Sequence, residues 1–370
     1  MYYLDHGATS FPKPEQVTRA VLRAMEACAN PGRGSHPPAE LAAEGVFSCR
    51  CAAGELFSCL PEQVVFTQNC TQGLNIAIRT LVRPGDRVVI SGFEHNAVTR
   101  PLHGLGARIT VAGRRLFDPA DTLRQFRNAL NRGAKAAVFT HVSNVFGYVL
   151  PVEEMAAECR RRRIPFVIDA AQSAGVLPID AKALGADFIA MPGHKGLLGP
   201  MGTGILICNR LPKPLIMGGT GSESERQEMP DLLPDRAEAG TLNVPGILGL
   251  EAGLRRIQEV GPERIKAREQ ALLSGFASVL RDAGMEVFAG KNQVGALSFR
   301  PGCDCQEGAA RLAGQGFALR AGLHCAPLAH RSAGTLETGT IRLSVGMDTP
   351  EEAVQALGRA VQTSLPPYKY

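Results

Sequence analysis

The chain has 370 residues, 45% of them hydrophobic, and a formal net charge of +5. That length exceeds what a single core usually serves, so two domains are expected, with enough apolar residues to bury a sizeable core. The charge is too small and too scattered for a nucleic-acid or anionic-membrane surface, and no window approaches the 18 uninterrupted apolar residues of a membrane span. The start "MYYLDHGATSFPKP" has neither a basic nor an apolar leader segment, so the ten cysteines are read as free thiols of a cytoplasmic protein. The spacings Cys49/Cys51 and Cys303/Cys305 lack matching His/Cys pairs, so no metal site is expected.

From Glu15 to about Ala190, helical periodicity alternates with short apolar runs. "EQVTRAVLRAMEACA", "TQGLNIAIRTLV", "DTLRQFRNAL" and "VEEMAAECRRRR" read as helices, the last ending in a basic cluster that complements the helix dipole. "QVVFT", "DRVVISG", "ARITVA", "AAVFTHV", "IPFVIDAA", "DFIAM" and "GILICN" read as strands. Strands separated by such helices predict an α/β fold with a mostly parallel sheet sandwiched by helices. The stretch "GGTGSESERQEMPDLLPDRAEAGT" reads as a long polar excursion, and loops of that length inside a domain are usually functional or mobile. Two further helices follow, "GILGLEAGLRRIQEVG" and "RIKAREQALLSGFASVLRDAG". The tail then alternates "VGALSF", "CQEGAARLAGQG", "TIRLSV" and "PEEAVQALGRAVQ". The alternating tail predicts a smaller α/β domain after the large one, and the expected division is a large domain over 15–250 and a small domain made of 1–14 and 251–370.

In parallel sheets reactive groups gather at the carboxyl ends of the strands. "VISGFEHNA" puts His95 beyond one such end, "FTHVSN" Ser143 and Asn144, "VIDAAQSAG" Asp169 and Gln172, and "IAMPGHKG" His194 and Lys195. An aspartate closing an apolar strand is costly to bury unless a cation pairs with it. A lysine in the same crevice is a candidate amine for bonding an aldehyde, because desolvation lowers its pKa. Lysine, carboxylate, a flat histidine and a glutamine together suit pyridoxal 5′-phosphate, which also needs a phosphate cup. "FTQNCTQGLN" supplies a candidate cup: a strand ends at Thr67 and a helix begins near Thr71, where free amides and hydroxyls bind phosphate.

"YLDHGATSFPKP", "TQNCTQGLN", "EHNA", "HVSN", "DAAQSAG", "PGHKGLLGPMGTG", "EAGTLN" and "LRAGLHCAPLAH" resemble, in order and almost end to end, the class V aminotransferase family. Within it the match is to the cysteine desulfurase/selenocysteine lyase branch, marked by the cysteine of "RAGLHCAPL". The resemblance implies the type I pyridoxal-phosphate fold. It implies that Lys195 holds the cofactor and shuttles the Cα proton, that Asp169 pairs with the ring nitrogen, Gln172 with the ring oxygen, and that His95 stacks on the ring. Cys70, Thr71 and His194 are assigned to the phosphate, joined from a neighbouring subunit by Thr241, which implies a homodimer with shared sites. Asn144 and Arg342 would grip the carboxylate of L-cysteine or L-selenocysteine, His36 would border the entrance, and Cys325 would accept sulfur. Arg320 is read as ordering the loop of Cys325.

Two departures stand out. Pro192-Gly193 replaces the family's usual Ser-Gly, which removes one phosphate hydroxyl, and Asn69-Cys70-Thr71 replaces the frequent Gly-Thr-Thr. The excursion before "EAGT" also looks shorter than in members that serve a dedicated sulfur-acceptor protein. The expected activity is desulfuration of L-cysteine to L-alanine with a persulfide on Cys325. The alternatives are selenocysteine lysis, a transaminase or C–S lyase that does not use Cys325, and a non-catalytic protein-binding scaffold.

Overall fold

A computed structural model describes residues 1–32 and 34–369. The chain opens with a short strand, β1 (Tyr2–Tyr3), followed by helices α1 (Glu15–Ala27) and α2 (Pro37–Phe57). Two prolines start α2, where a missing N–H costs nothing, and Ser58 ends it in the left-handed region at φ 54°. Then come β2 (Val64–Thr67), α3 (Cys70–Leu81), β3 (Arg87–Ser91), α4 (Asn96–Gly104), β4 (Arg108–Ala112), α5 (Pro119–Leu130), β5 (Ala136–Thr140), α6 (Val152–Arg162), β6 (Phe166–Asp169), α7 (Ala181–Leu184), β7 (Phe188–Pro192) and β8 (Gly204–Cys208). Side-chain caps mark where several helices begin: Asn69 accepts from Gln72 N at α3, and Asp118 from Asp121 N at α5.

These strands form one seven-stranded sheet in the order β2-β8-β7-β6-β5-β3-β4. β7-β6-β5-β3-β4 run parallel, whereas β8 is antiparallel to both β7 and β2. Alternate residues face opposite layers. Val89, Phe139, Ile168, Ile189 and Ile205 join one core, while Val88, Val138, Val167, Ala190 and Leu206 join another. Both faces are therefore covered, as the near-continuous apolar runs require. Each fully buried Val, Ile or Phe contributes about 1.5–3 kcal/mol.

The remainder comprises α8 (Val244–Val260), α9 (Pro262–Asp282), β9 (Glu286–Phe288), β10 (Ala296–Arg300), α10 (Cys305–Gly314), β11 (Phe317–Ala318), β12 (Arg320–Gly322), α11 (Pro327–Ala333), β13 (Thr340–Ser344) and α12 (Glu352–Ser364). A four-stranded antiparallel sheet, β12-β13-β10-β9, carries its own core of Leu297, Phe299, Ile341 and Leu343 against α9, α10 and α12. β1 pairs in parallel with β11, so the first residues of the chain lie among the last elements. The chain then crosses to the large sheet: Ser10 N and Thr9 Oγ1 both donate to His194 O, at 3.0 and 2.9 Å. The polar excursion before "EAGT" is irregular apart from a short 3-10 turn at Asp235–Ala237. No helix among the described residues is long and apolar enough to cross a membrane.

Candidate active site

The carboxyl ends of β2, β5, β6 and β7 converge on one cavity. Its lining includes Cys70, Thr71, His95, Asn144, Asp169, Gln172, His194 and Lys195. Eight of the twelve residues assigned to a site from sequence thus share a single wall. Ser143 does not join them, because its hydroxyl accepts from Val145 N and Phe146 N and closes a turn instead.

Asp169 ends β6 and is 2% exposed. The sequence leads one to expect a cationic partner for it, yet no lysine, arginine or histidine among the described residues forms an ion pair with it. Its Oδ1 instead accepts from Ala171 N at 2.9 Å and from the Cys70 thiol at 3.5 Å. Lys195, three residues past the proline that ends β7, has no hydrogen bond or ion pair at Nζ among the described residues. Burial, then the Arg342 guanidinium, push its pKa below the ordinary lysine value, against the pull of Asp169 and Cys70. An uncompensated buried carboxylate and an unpartnered amine therefore face the same space.

His95 caps α4, its Nδ1 accepting from Ala97 N at 3.0 Å, which leaves the proton on Nε2. Burial lowers its pKa, so the ring is neutral and can lie flat against an aromatic partner. Gln172 Nε2 donates to Gly7 O at 3.0 Å and keeps a second hydrogen free. At the cup, α3 starts at Cys70, one residue earlier than the sequence pattern suggests, and its first amides have no intrahelical acceptor. Gly204 is needed here: a Cβ would sit 2.7 Å from Thr67 Oγ1 and 2.8 Å from the Asn69 carbonyl carbon, closing the turn that forms the cup. His194 lines the same end with a buried Nδ1 that finds no partner; burial, Lys195 and Lys13 push its pKa down to about 4.

These features fit pyridoxal 5′-phosphate. Lys195 offers an amine to its aldehyde and Asp169 an unpaired carboxylate to its ring nitrogen. The α3 amides with Thr71 and the orphaned His194 offer donors to its phosphate.

Arg342 and Cys325 stand beside this wall. Arg342, on β13 and 3% exposed, donates to Asn144 O at 2.9 Å and to Asp5 Oδ1 at 2.7 Å, while its buried Nε has no acceptor. The other oxygen of Asp5 takes Arg320, at 2.9 Å. Cys325 is exposed, and it and His324 hold left-handed φ values of 56° and 49°. Their loop is pinned on both sides. Asn144 Nδ2 donates to His324 O at 2.7 Å, and Asn96 N donates to Cys325 O at 2.8 Å. His324 donates Nε2–H toward Thr340 O, and burial with Arg342 pushes its pKa down to about 3, so it is a neutral loop-ordering ring. His330 bonds Thr335 Oγ1 and is buried behind the loop.

Two assigned residues lie elsewhere. His36 is an exposed cap at the head of α2 and is not part of the cavity wall. Thr241 is exposed in the loop after Glu238 and lines a separate depression with Gln68 and Gln72. Sequence reasoning missed Asp5, Lys13 and Asn96. Lys13 donates to His194 O at 2.8 Å, and Asn96 acts through its backbone N–H. Asp5 and Lys13 fall in the quoted opening stretch, but only the fold reveals that this stretch crosses the site.

The fold and this cavity define a pyridoxal-phosphate enzyme of the type that works at the carboxyl edge of a mostly parallel sheet. The family model for aminotransferase class V matches residues 2–357, and the chain belongs to that family. A protein of Methanothermobacter thermautotrophicus named "Probable cysteine desulfurase" is 31% identical across 97% of this chain and 94% of its own length. A "Cysteine desulfurase" of Escherichia coli O7:K1 is 33% identical across 88% and 84%. The solved apo structure of a cysteine desulfurase from Thermococcus onnurineus NA1 superposes with a TM-score of 0.88 at 29% identity, covering 98% of this chain and 94% of that one.

Proposed function

We propose that this protein is a cysteine desulfurase that converts L-cysteine to L-alanine and retains the sulfur on Cys325. The observation that carries the reading is the placement of an exposed cysteine on a loop tied to Asn144 and Asn96, next to the cavity that holds Lys195 and Asp169. A transaminase needs no such thiol.

Pyridoxal 5′-phosphate bound in the cavity supplies the electron sink for chemistry at the substrate's Cα and Cβ. The chain's residues do the rest. Arg342, with an unsatisfied buried Nε, receives the α-carboxylate beside Asn144. Lys195, its pKa lowered by burial, takes the Cα proton and returns a proton to carbon. His95, neutral and fixed by Ala97 N, covers the ring face. The Cys325 thiolate attacks the substrate sulfur: the C–S bond breaks, an S–S bond forms, and the electron pair left on the carbon skeleton is protonated to give alanine. One thiol and one cysteine become one persulfide and one alanine, so no outside oxidant is needed.

Several further features belong to the same reading. Two domains, 15–250 and 1–14 with 251–370, each carry a sheet, and Lys195 lies between them near Arg342. A homodimer fits the exposure of Thr241, which then serves the partner's phosphate cup. A sulfur-acceptor protein is the natural client of an exposed Cys325, and ten free thiols suit the cytoplasm. The test is alanine release from L-cysteine, with L-selenocysteine in parallel. Release that disappears in Lys195→Ala supports the reading; no alanine from L-cysteine by cofactor-loaded protein overturns it.

A further inference from the structure

Cys70 is a thiol that the proposed reaction does not use. It is the first residue of α3, directly after the Asn69 cap, and is 8% exposed. Its Sγ lies 3.5 Å from Asp169 Oδ1, within hydrogen-bonding range for sulfur, across 99 positions of chain. Burial and the nearby Asp169 carboxylate hold the thiol well above its ordinary pKa, so it carries its proton and acts as the donor.

Asp169 Oδ1 therefore has two donors from different elements, the thiol at the head of α3 and Ala171 N in the turn after β6, at 2.9 Å. Two lone pairs on one oxygen are thereby occupied. Asp169 Oδ2 accepts no hydrogen bond from any described residue, so the carboxylate is fixed in orientation with one oxygen free. A buried acid without a cationic partner has little else to hold its plane.

We infer that Cys70 is a positioning residue: its S–H donates to Asp169 Oδ1 and aims Oδ2 at the nitrogen of the cofactor ring. The phosphate cup and the ring anchor are then one mechanical unit, since the residue that opens the α3 anion site also orients the acid. The inference rests on the cofactor binding in this cavity and is independent of the desulfurase reaction. It concerns an uncharged donor, so replacing it by another small donor should preserve its effect.

The test compares holoenzyme carrying Cys70→Ala, Cys70→Ser or Cys70→Thr with the parent, by cofactor dissociation constant and by the visible circular dichroism of the bound cofactor, which reports how rigidly the ring is held. Losing one such hydrogen bond should weaken cofactor binding roughly 3- to 10-fold in Cys70→Ala and reduce the dichroic band. Serine or threonine, which keep a donor at this position, should restore both to within about 2-fold of the parent. An alanine variant indistinguishable from the parent overturns the inference. So does an equal loss in all three variants, which would make Cys70 a packing residue. Failure of the parent itself to bind the cofactor would instead strike at the site assignment.

Discussion

Asp5 and Arg342 lie 337 positions apart and meet in a 2.7 Å ion pair, with side chains 13% and 3% exposed. Arg320, just ahead of the Cys325 loop, takes the second oxygen of the same carboxylate at 2.9 Å. One acid from the start of the chain thus joins Arg342, the proposed substrate grip, to Arg320, which precedes the loop of the proposed sulfur acceptor Cys325. The guanidinium of Arg342 is held in place before substrate arrives, with its Nε edge unused.

Replacing Arg342 by alanine removes a charge-assisted contact worth about 1.5–3 kcal/mol. kcat/KM for L-cysteine should fall roughly 10- to 150-fold, carried mainly by KM. Steady-state kinetics measure the split, and an unchanged KM would remove Arg342 from the carboxylate site.

Glu269 makes the stability of the fold depend on pH. Burial raises its pKa to about 8, although Gly295 N donates to it, and its Oε2 has no partner. Its folded value lies above its unfolded one, so the native state keeps a proton that the unfolded chain releases. Stability from this group is full below about pH 4.5 and is lost as pH rises toward 8, by at most about 1.4 kcal/mol per pH unit. Glu269→Gln cannot titrate, so its melting temperature should gain on the parent's between pH 5 and pH 8. A constant difference across that range would contradict a neutral Glu269.

Much of this arrangement could be read from the chain because the sheet is buried on both faces. Apolar runs such as "AAVFTHV" and "IPFVIDAA" have no other plausible home, and polar residues that close them must face the site edge. The long helix α2 escaped notice because "PPAELAAEGVFSCRCAAGELF" buries small residues (Ala42, Cys49, Ala52, Gly54) that leave little amphipathic signal. α4 escaped because Pro101 lies within it. The antiparallel direction of β8 is fixed by the tight return through "GHKGLLGPMG", which no residue pattern within "GILICN" records. Asp5 illustrates the remaining limit: its partners are set by how the first residues cross to the last strand.

Arg50 and Glu238 form a bidentate pair, at 2.9 and 2.6 Å, with side chains 8% and 5% exposed. Arg50 also stacks over Phe66, and Glu238 accepts from Phe66 N, so the pair fastens the loop of Thr241 to the edge strand β2. Breaking one side should cost about 3–5 kcal/mol, because a buried charge is left alone. Denaturant titration of Arg50→Met should show that loss, and Arg50→Met with Glu238→Leu should recover part of it. A double variant no better than the single would mean that the pair is not what makes the site sensitive.

Cys325, being exposed and outside any core cluster, should be separable from folding. Cys325→Ser should leave unfolding free energy within about 0.5 kcal/mol of the parent. A larger loss by chemical denaturation would make the residue structural.

The most direct measurement of the central claim is mass spectrometry of the loaded protein after brief exposure to L-cysteine, read peptide by peptide. One added sulfur is expected on the peptide containing Cys325, formed in step with alanine and absent from Cys325→Ser. Alanine at full rate with no sulfur on that peptide, or an undiminished rate in Cys325→Ser, would contradict it.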